Sequence, residues 1–148
     1  TLKKMLDESQ AKSQEYLDGW QRSVAEFANY QKRTERSNEQ LGKMGTGNTI
    51  KKFLGVMDDL ERALANRPAE DAWANGIELV YRKYQAILES ENVTRIPAEG
   101  QPFDPTFHEA IMQEASETCE SGTVIAVLQQ GYMHGERVLR PAMVKVAQ

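Results

Sequence analysis

The two histidines and the single cysteine are the side chains of this sequence best suited to metal binding or covalent chemistry. Three such ligands do not make a plausible zinc site without several carboxylates from elsewhere in the chain. His108-Glu109 matches half of a zinc-protease motif, but the second histidine of that motif is missing. We therefore predict no metal site, and we expect His108 to be a hydrogen-bonded residue that holds the turn after Phe103-Asp104-Pro105.

Nucleophilic and phosphate-binding chemistry are equally poorly supported. Cys119 has no basic residue near it in the sequence, and the carboxylates of Glu117 and Glu120 beside it disfavour the reactive thiolate. The three glycines of Gly42–Gly47 lack the Gly-Lys-Ser/Thr ending and the preceding strand of a phosphate-binding loop. We predict a protein that is not an enzyme and that uses no cofactor.

The segment Arg137–Val146 points instead to a partner protein. Its residues alternate in polarity as those of a strand do, and Arg137 and Arg140 stand at its beginning. Pro141 lacks the N–H group that a sheet ladder needs, so we expect this strand at a sheet edge or with a bulge. Two arginines beside such an edge favour contact with another protein over a reaction.

Composition narrows the class of protein further. A formal net charge of -4 over 148 residues argues against a general nucleic-acid binder. One cysteine excludes an internal disulfide and fits a reducing compartment. No apolar run approaches the length of a membrane span. We expect a cytoplasmic protein with neither a nucleic-acid nor a membrane partner.

The elements that must position these residues fall into three regions of an α+β chain. Residues 1–48 contain no proline and carry a heptad seam that is apolar in the middle and polar at its ends, which predicts a long helix paired loosely with a second copy. A lone solvated helix is the alternative. The glycines of Gly42–Gly47 leave open whether this helix breaks there or only weakens.

Residues 49–91 predict two short amphipathic helices in an antiparallel hairpin, with a stop near Asn66-Arg67-Pro68. Each helix has one apolar face, so two copies are expected to form a four-helix bundle in a dimer. Gly76 in mid-helix suggests a close backbone approach there. The residues predicted to form the dimer are Leu17, Trp20, Val24, Phe27, Phe53, Met57, Leu60, Leu64, Trp73, Gly76, Ile77, Val80 and Tyr84.

Residues 92–148 predict a small all-β domain, because proline, glycine and β-branched runs replace the helical spacing. Thr123–Leu128 is nearly all apolar and is expected to be the central, buried strand. Phe107–Ala110 is expected to form one helical turn, and Asp58-Asp59 of the preceding region to face solvent. The candidate strands are Val93–Ile96, Ile111–Ala115, Thr123–Gln129 and Arg137–Val146.

Four sets of segments match the motifs of one known family: Gly131-Tyr132 with Arg137–Val146, Phe103–Ala110 with Gly122-Thr123-Val124, Asn29–Glu35 and Asn75–Leu79. Read together, they resemble the GrpE family, the nucleotide exchange factors of DnaK-type chaperones. Two separated C-terminal blocks in the family's order make a chance match improbable. Gln31 departs from the family pattern, which commonly has arginine there, and His134 stands where the family is often apolar.

The resemblance implies a parallel homodimer with a long paired helix, a four-helix bundle and compact β-domains. One β-domain would insert into the chaperone's ATPase domain, open its nucleotide cleft and release ADP, while the long helices would sense temperature. A structural coiled-coil tether with a protein-docking β-domain is the alternative function. For Val146 and Met143, plain sheet packing is an equal alternative to partner contact. The residues implied in chaperone binding are Arg137, Val146, Arg140, Met143, Gly131, Tyr132, Lys32 and Arg33.

Overall fold

The computed structural model describes all residues from Thr1 to Gln148 and contains two helices and six strands. The helices are α1, Leu2–Ala65, and α2, Ala72–Ser90. This arrangement, a long N-terminal helix, a second helix and a C-terminal β-region, confirms the predicted α+β class. The strands are β1 Val93–Arg95, β2 His108–Glu114, β3 Val124–Gln129, β4 Tyr132–His134, β5 Arg137–Arg140 and β6 Ala142–Ala147.

Helix α1 runs without a break through the glycine-rich segment Gly42–Gly47. Glycine weakens a helix by about 1 kcal/mol relative to alanine, but it keeps the backbone N–H that proline would remove. The question left open by the sequence is therefore answered in favour of continuity. The first of the two predicted short helices is the C-terminal part of α1 and not a separate element.

The chain divides into two compact units, Thr1–Gly45 and Thr46–Gln148, with the boundary inside α1. The first unit consists of helix alone, and every one of its side chains is exposed except the half-buried Thr34. No tertiary packing within the chain covers its apolar residues. The second unit holds the end of α1, helix α2 and all six strands.

Helix α2 begins with a side-chain cap. The Asp71 carboxylate accepts a hydrogen bond from the Trp73 backbone N–H at 2.9 Å, which satisfies a donor that the helix itself leaves unpaired. Asn92, directly after the helix, has a φ of 61° and turns the chain into β1. The predicted stop near Asn66-Arg67-Pro68 is confirmed, since α1 ends at Ala65.

The second unit contains two three-stranded sheets, each with its own apolar core. In the first sheet the strand order is β1-β4-β5, with β4 antiparallel to both neighbours. Its core joins the sheet to both helices through six buried residues. They are Leu54 and Met57 of α1, Leu88 of α2, and Val93, Tyr132 and Leu139 of the three strands.

In the second sheet the strand order is β2-β6-β3, with β6 parallel to β2 and antiparallel to β3. Val144 and Val146 alternate along β6 on its buried face, with Ala142 at its start. The expectation that Thr123–Leu128 is the central strand is therefore wrong, since β3 lies at an edge and Leu128 is 51% exposed. An apolar run fits a one-sided edge strand as well as a central one, so composition could not separate them.

The C-terminal segment is two strands and not one. Pro141 separates β5, an edge strand of the first sheet, from β6, the central strand of the second. The expectation of an edge strand therefore holds for β5 and is wrong for β6. The expected helical turn at Phe107–Ala110 is also wrong, because β2 begins at His108 and the turn lies just before it.

Candidate functional site

The exposed residue of the C-terminal segment most suited to contact a partner is Arg137, at the start of the edge strand β5. Its Nη2 donates a hydrogen bond of 3.1 Å to Oδ1 of Asn48 on α1. A guanidinium group carries five N–H donors, so this one bond steadies the side chain without exhausting it. The Arg137 side chain is thus exposed to solvent and held in a defined position on β5.

The β4–β5 hairpin rests on α1 at Gly47. A Cβ atom at this position would lie 3.0 Å from Nδ1 of His134 and 3.1 Å from Cδ2 of Leu139, closer than side chains normally pack. Glycine is therefore favoured by close contact and not by backbone conformation, because a larger residue would force these side chains to shift by a few tenths of an ångström. The sequence showed this glycine only as one of a cluster, and nothing in its neighbours marks it as different.

Gly131 has a comparable role at the other end of the hairpin. A Cβ atom there would overlap the backbone of Pro141 and Ala142, where β6 begins. Gly131 was predicted to shape the partner-binding edge, and the structure gives it a packing role in joining the two sheets.

Arg140, the second predicted partner contact, points to α1. Its Nη1 and Nη2 donate to Oδ2 and Oδ1 of Asp58 at 2.6 and 2.5 Å, and its Nε donates to the Gln130 carbonyl oxygen at 2.9 Å. Gln129 Nε2 donates to the same Asp58 carboxylate at 3.1 Å. The exposed fractions of the paired side chains are only 14% for Arg140 and 13% for Asp58.

Asp58 was expected to face solvent, and for this residue the expectation is wrong. Its neighbour Asp59 does lie at the surface, paired with Arg62 on the same helix. Two adjacent aspartates on an amphipathic helix are indistinguishable in sequence. Only the approach of β5, which is distant in the chain, makes one of them a buried partner.

Tyr132 lies beneath the two arginines of its sheet. Its ring is 2% exposed and lies 5.4 Å from the guanidinium carbon of Arg140 and 6.0 Å from that of Arg95. Its hydroxyl is buried without a hydrogen-bond partner, and burial raises the pKa of this phenol. Tyr132 therefore belongs to the core of the predicted partner-binding edge and not to its surface.

Arg95 was not identified from the sequence, yet it mirrors Arg140 on the other side of Tyr132. It donates hydrogen bonds to the Glu61 carboxylate of α1 and to the Tyr81 hydroxyl of α2. The Tyr81 hydroxyl itself donates to Glu61 at 2.5 Å. Burial, reinforced by this bond to Glu61, raises the pKa of Tyr81 to about 12.

The remaining predicted contact residues are dispersed. Val146 is 6% exposed in the core of the second sheet, and Met143 of the same strand is half-buried. Lys32 and Arg33 are exposed on the first unit, with the Arg33 guanidinium 5.9 Å from the Tyr30 ring. The structure thus brings Gly131, Tyr132, Arg137 and Arg140 together, and it gives Val146 a packing role within the chain.

The residues predicted to form a dimer are mostly uncovered. Met57, by contrast, is completely buried within its own chain, and a Cβ atom added at Gly76 would meet no other atom within 4 Å. Leu60, Leu64, Ile77 and Tyr84 are half-buried. The exposed members are Leu17, Trp20, Val24, Phe27, Phe53, Trp73 and Val80.

His108 is the polar residue that lies buried in the folded chain. As predicted, its ring forms hydrogen bonds that hold a turn. Its Nδ1 accepts a hydrogen bond from the Asp104 N–H at 3.1 Å, and its Nε2 lies 3.1 Å from the Pro97 carbonyl oxygen. The ring therefore carries its proton on Nε2 and ties the turn before β2 to the loop after β1.

No cluster of three or more His, Cys, Asp or Glu side chains is placed to hold a metal ion. Neither helix combines the length and apolarity needed to cross a membrane.

Comparison with known proteins identifies one family over the whole length of the sequence. The GrpE family model matches residues 1–148. The chain is 43% identical over 135 residues to Protein GrpE of Caldanaerobacter subterraneus subsp. tengcongensis, covering 91% of this chain and 66% of the relative. It is 41% identical over 142 residues to Protein GrpE of Gloeobacter violaceus, covering 93% and 72%. The chain thus spans roughly two thirds to three quarters of these relatives, and it is a member of the GrpE family of co-chaperones.

Proposed function

We propose that this chain is a nucleotide exchange factor that binds the ATPase domain of a DnaK-type chaperone, opens its nucleotide cleft and promotes ADP release. Membership of the GrpE family supports the proposal. The exposed position of Arg137 is the observation that assigns the function to a particular part of the chain. This arginine stands exposed on an edge strand whose Leu139 packs into the core with α1 and α2. A charged group on a rigid support is suited to engage another protein at low cost in conformational entropy.

The proposed mechanism requires no bond to be made or broken in this chain. A protein that binds the open-cleft chaperone more tightly than the closed one shifts the population towards the open form by that difference in affinity. By linkage, nucleotide must weaken the complex by the same factor. Opening of the cleft and release of ADP would therefore be driven by binding between complementary surfaces alone.

We further propose that the working form is a homodimer in the cytoplasm. Many large apolar side chains are exposed along α1 and α2, and an extended exposed apolar surface is typical of an interaction site. Pairing of α1 with a second copy would cover the seam that includes Leu17, Trp20 and Phe27. The α2 residues Trp73 and Val80 would be covered in a four-helix bundle.

Release of labelled ADP from a DnaK-type ATPase tests the exchange function directly. The wild-type chain should accelerate release, and Arg137→Ala should reduce the acceleration at limiting concentration by about tenfold or more, as expected when an anchoring arginine is truncated. Arg62→Ala is the matched control, because Arg62 is also exposed and its only ion pair is within α1. It should leave release unchanged.

Added ATP should also dissociate the complex between this protein and the chaperone. A complex whose affinity is indifferent to nucleotide, or a wild-type chain that does not accelerate ADP release, would contradict the exchange mechanism. Binding without exchange would favour the alternative, a structural coiled-coil tether whose β-domain docks on another protein.

A further inference from the structure

We infer that five residues form a clamp that fixes the first sheet on α1, and that Arg140 serves exchange as a positioning residue and not as a contact with the chaperone. The clamp consists of Asp58 and Glu61 of α1 and of Arg95, Tyr132 and Arg140 of the sheet. The structural part of this inference is independent of function, whereas its consequence for ADP release rests on the function proposed above.

The three sheet residues of the clamp form one row across all three strands. Arg95 of β1 is paired directly with Tyr132 of β4, and Tyr132 is paired directly with Arg140 of β5. Residues in direct register lie on the same face of a sheet. The two guanidinium groups therefore flank one aromatic ring, at 6.0 and 5.4 Å from its centre.

The two carboxylates of the clamp lie on one face of α1. Asp58 and Glu61 are three residues apart, which places them one above the other along the helix. Each receives one arginine of the row, Arg140 at Asp58 and Arg95 at Glu61. Two ion pairs at separate points along the helix axis resist rotation of the sheet about either one.

Arg140 is held within the chain and is only 14% exposed, which leaves little of its guanidinium group accessible to a partner. All three of its guanidinium nitrogens are engaged within the chain, by the two oxygens of Asp58 and the carbonyl of Gln130. A bidentate arginine–carboxylate pair fixes direction as well as distance. Breaking a largely buried pair by removing one charge is strongly unfavourable, because the other charge is left without compensation.

The clamp bears on exchange because Arg137 belongs to the same short strand as Arg140. The orientation of β5 on α1 sets where the Arg137 side chain is presented. A loosened sheet would still carry Arg137 and still bind, but it would hold the chaperone's cleft open less effectively. The clamp should therefore affect the maximal rate of release more than the affinity.

Asp58→Asn, Arg140→Gln and the double variant test this inference in the ADP-release assay. Each single variant should lower the maximal rate by about ten- to a hundredfold, since misplacement by about an ångström of a group remote from the reacting centre can cost that much. The half-saturating concentration should change less. The double variant should be impaired no more than either single one, because it removes the same pair and leaves neither charge uncompensated.

Asp59→Asn is the matched control, since Asp59 is the neighbouring aspartate, exposed and paired only within α1. It should behave as wild type. Arg140→Lys keeps the charge but loses the bidentate geometry, and it should fall between wild type and Arg140→Gln. A raised half-saturating concentration in Arg140→Gln with no effect of Asp58→Asn would overturn the inference and make Arg140 a direct contact.

A distance measurement separates the clamp from the exchange function. Spin labels on cysteines at the exposed Thr94 of β1 and the exposed Lys52 of α1, with the native Cys119 replaced by serine, report how the first sheet sits on the helix within the second unit. Labelled chains are diluted with unlabelled ones, so that only distances within a chain are seen. The distribution should be narrow in wild type and Asp59→Asn and broad in Asp58→Asn. A narrow distribution in Asp58→Asn would overturn the clamp, whereas a failure of wild type to release ADP would overturn only the proposed function.

Discussion

At the scale of single residues, the site depends on glycine as much as on residues with functional side chains, because glycine allows another element to approach the helix closely. Gly47 lets the β4–β5 hairpin approach α1 closely, while Gly55 on the same helix has open space around its Cα. Both are in the second unit and both weaken the helix equally by intrinsic propensity. Substituting each glycine by alanine therefore distinguishes the steric effect of a new side chain from its effect on helix propensity.

We expect Gly55→Ala to raise the free energy of unfolding by up to about 1 kcal/mol, the usual gain in helix propensity. Gly47→Ala should show no such gain and should be less stable than Gly55→Ala, because the buried Leu139 would have to shift to admit the new methyl group. Urea denaturation of the two variants checks this. Equal stabilisation of both would show that the hairpin does not rest on Gly47.

Tyr81 provides a pH test of the contact between the helices and β1. Its pKa is raised from 10.0 to about 12, so the folded chain holds this proton more tightly than the unfolded chain does. Below pH 10 both states are protonated and the contribution of Tyr81 to stability is complete. As the pH rises from 10 to 12 the unfolded chain loses its proton first, and this contribution is lost.

The free energy of unfolding should therefore fall less steeply between pH 10 and 12 in Tyr81→Phe than in wild type. Denaturant titrations at several pH values measure both slopes. Identical slopes would mean that the Tyr81 hydroxyl is not held by burial and by Glu61 as described.

At the scale of elements, α1 presents two different apolar faces within one stretch of the second unit. Leu54 and Met57 are completely buried in the core with the first sheet, whereas Phe53 and Val56 are 55% and 51% exposed. The first face is satisfied inside the chain. The second is available to another copy, as the proposed dimer requires.

Leu54→Ala should destabilise the protein by about 2–5 kcal/mol, the usual cost of a core cavity, at any protein concentration. Phe53→Ala should instead weaken association, so the concentration below which the protein dissociates into single chains should rise. Sedimentation velocity over a hundredfold range of concentration, together with urea denaturation, distinguishes the two variants. An unchanged dissociation concentration in Phe53→Ala would argue against a dimer formed through this face.

The elements also show how far the sequence could lead. Helical spacing predicted α2, and the change in composition after Asn92 predicted the β-region. The pairing order could not be predicted, because β3 and β6 are both apolar and pairing depends on contacts between distant segments. The same limit applies to the clamp: Asp58 and Glu61 look like ordinary helix-surface charges until Arg140 and Arg95 reach them.

At the scale of the whole molecule, the two compact units differ in what holds them folded. The second has two apolar cores, but the first is a helix whose side chains are almost all exposed. Isolated helical stretches without tertiary packing are marginal in water. In the proposed dimer the seam through residues 31–38 is polar at Gln31, Thr34 and Asn38, so pairing there would add little.

We therefore expect residues 1–45 to lose their helical structure on heating before the β-region unfolds. Circular dichroism at 222 nm follows the helices, and methyl NMR signals of the buried Val124 and Val144 follow the second sheet. Replacing Gln31, Thr34 and Asn38 by leucine should raise the first transition towards the second, because apolar residues at these seam positions favour pairing. The matched control places leucine at exposed positions off the seam, where stronger helix propensity alone should produce a smaller rise. A single coincident transition in the wild type would show that the two units unfold together and would exclude α1 as an independent thermal sensor.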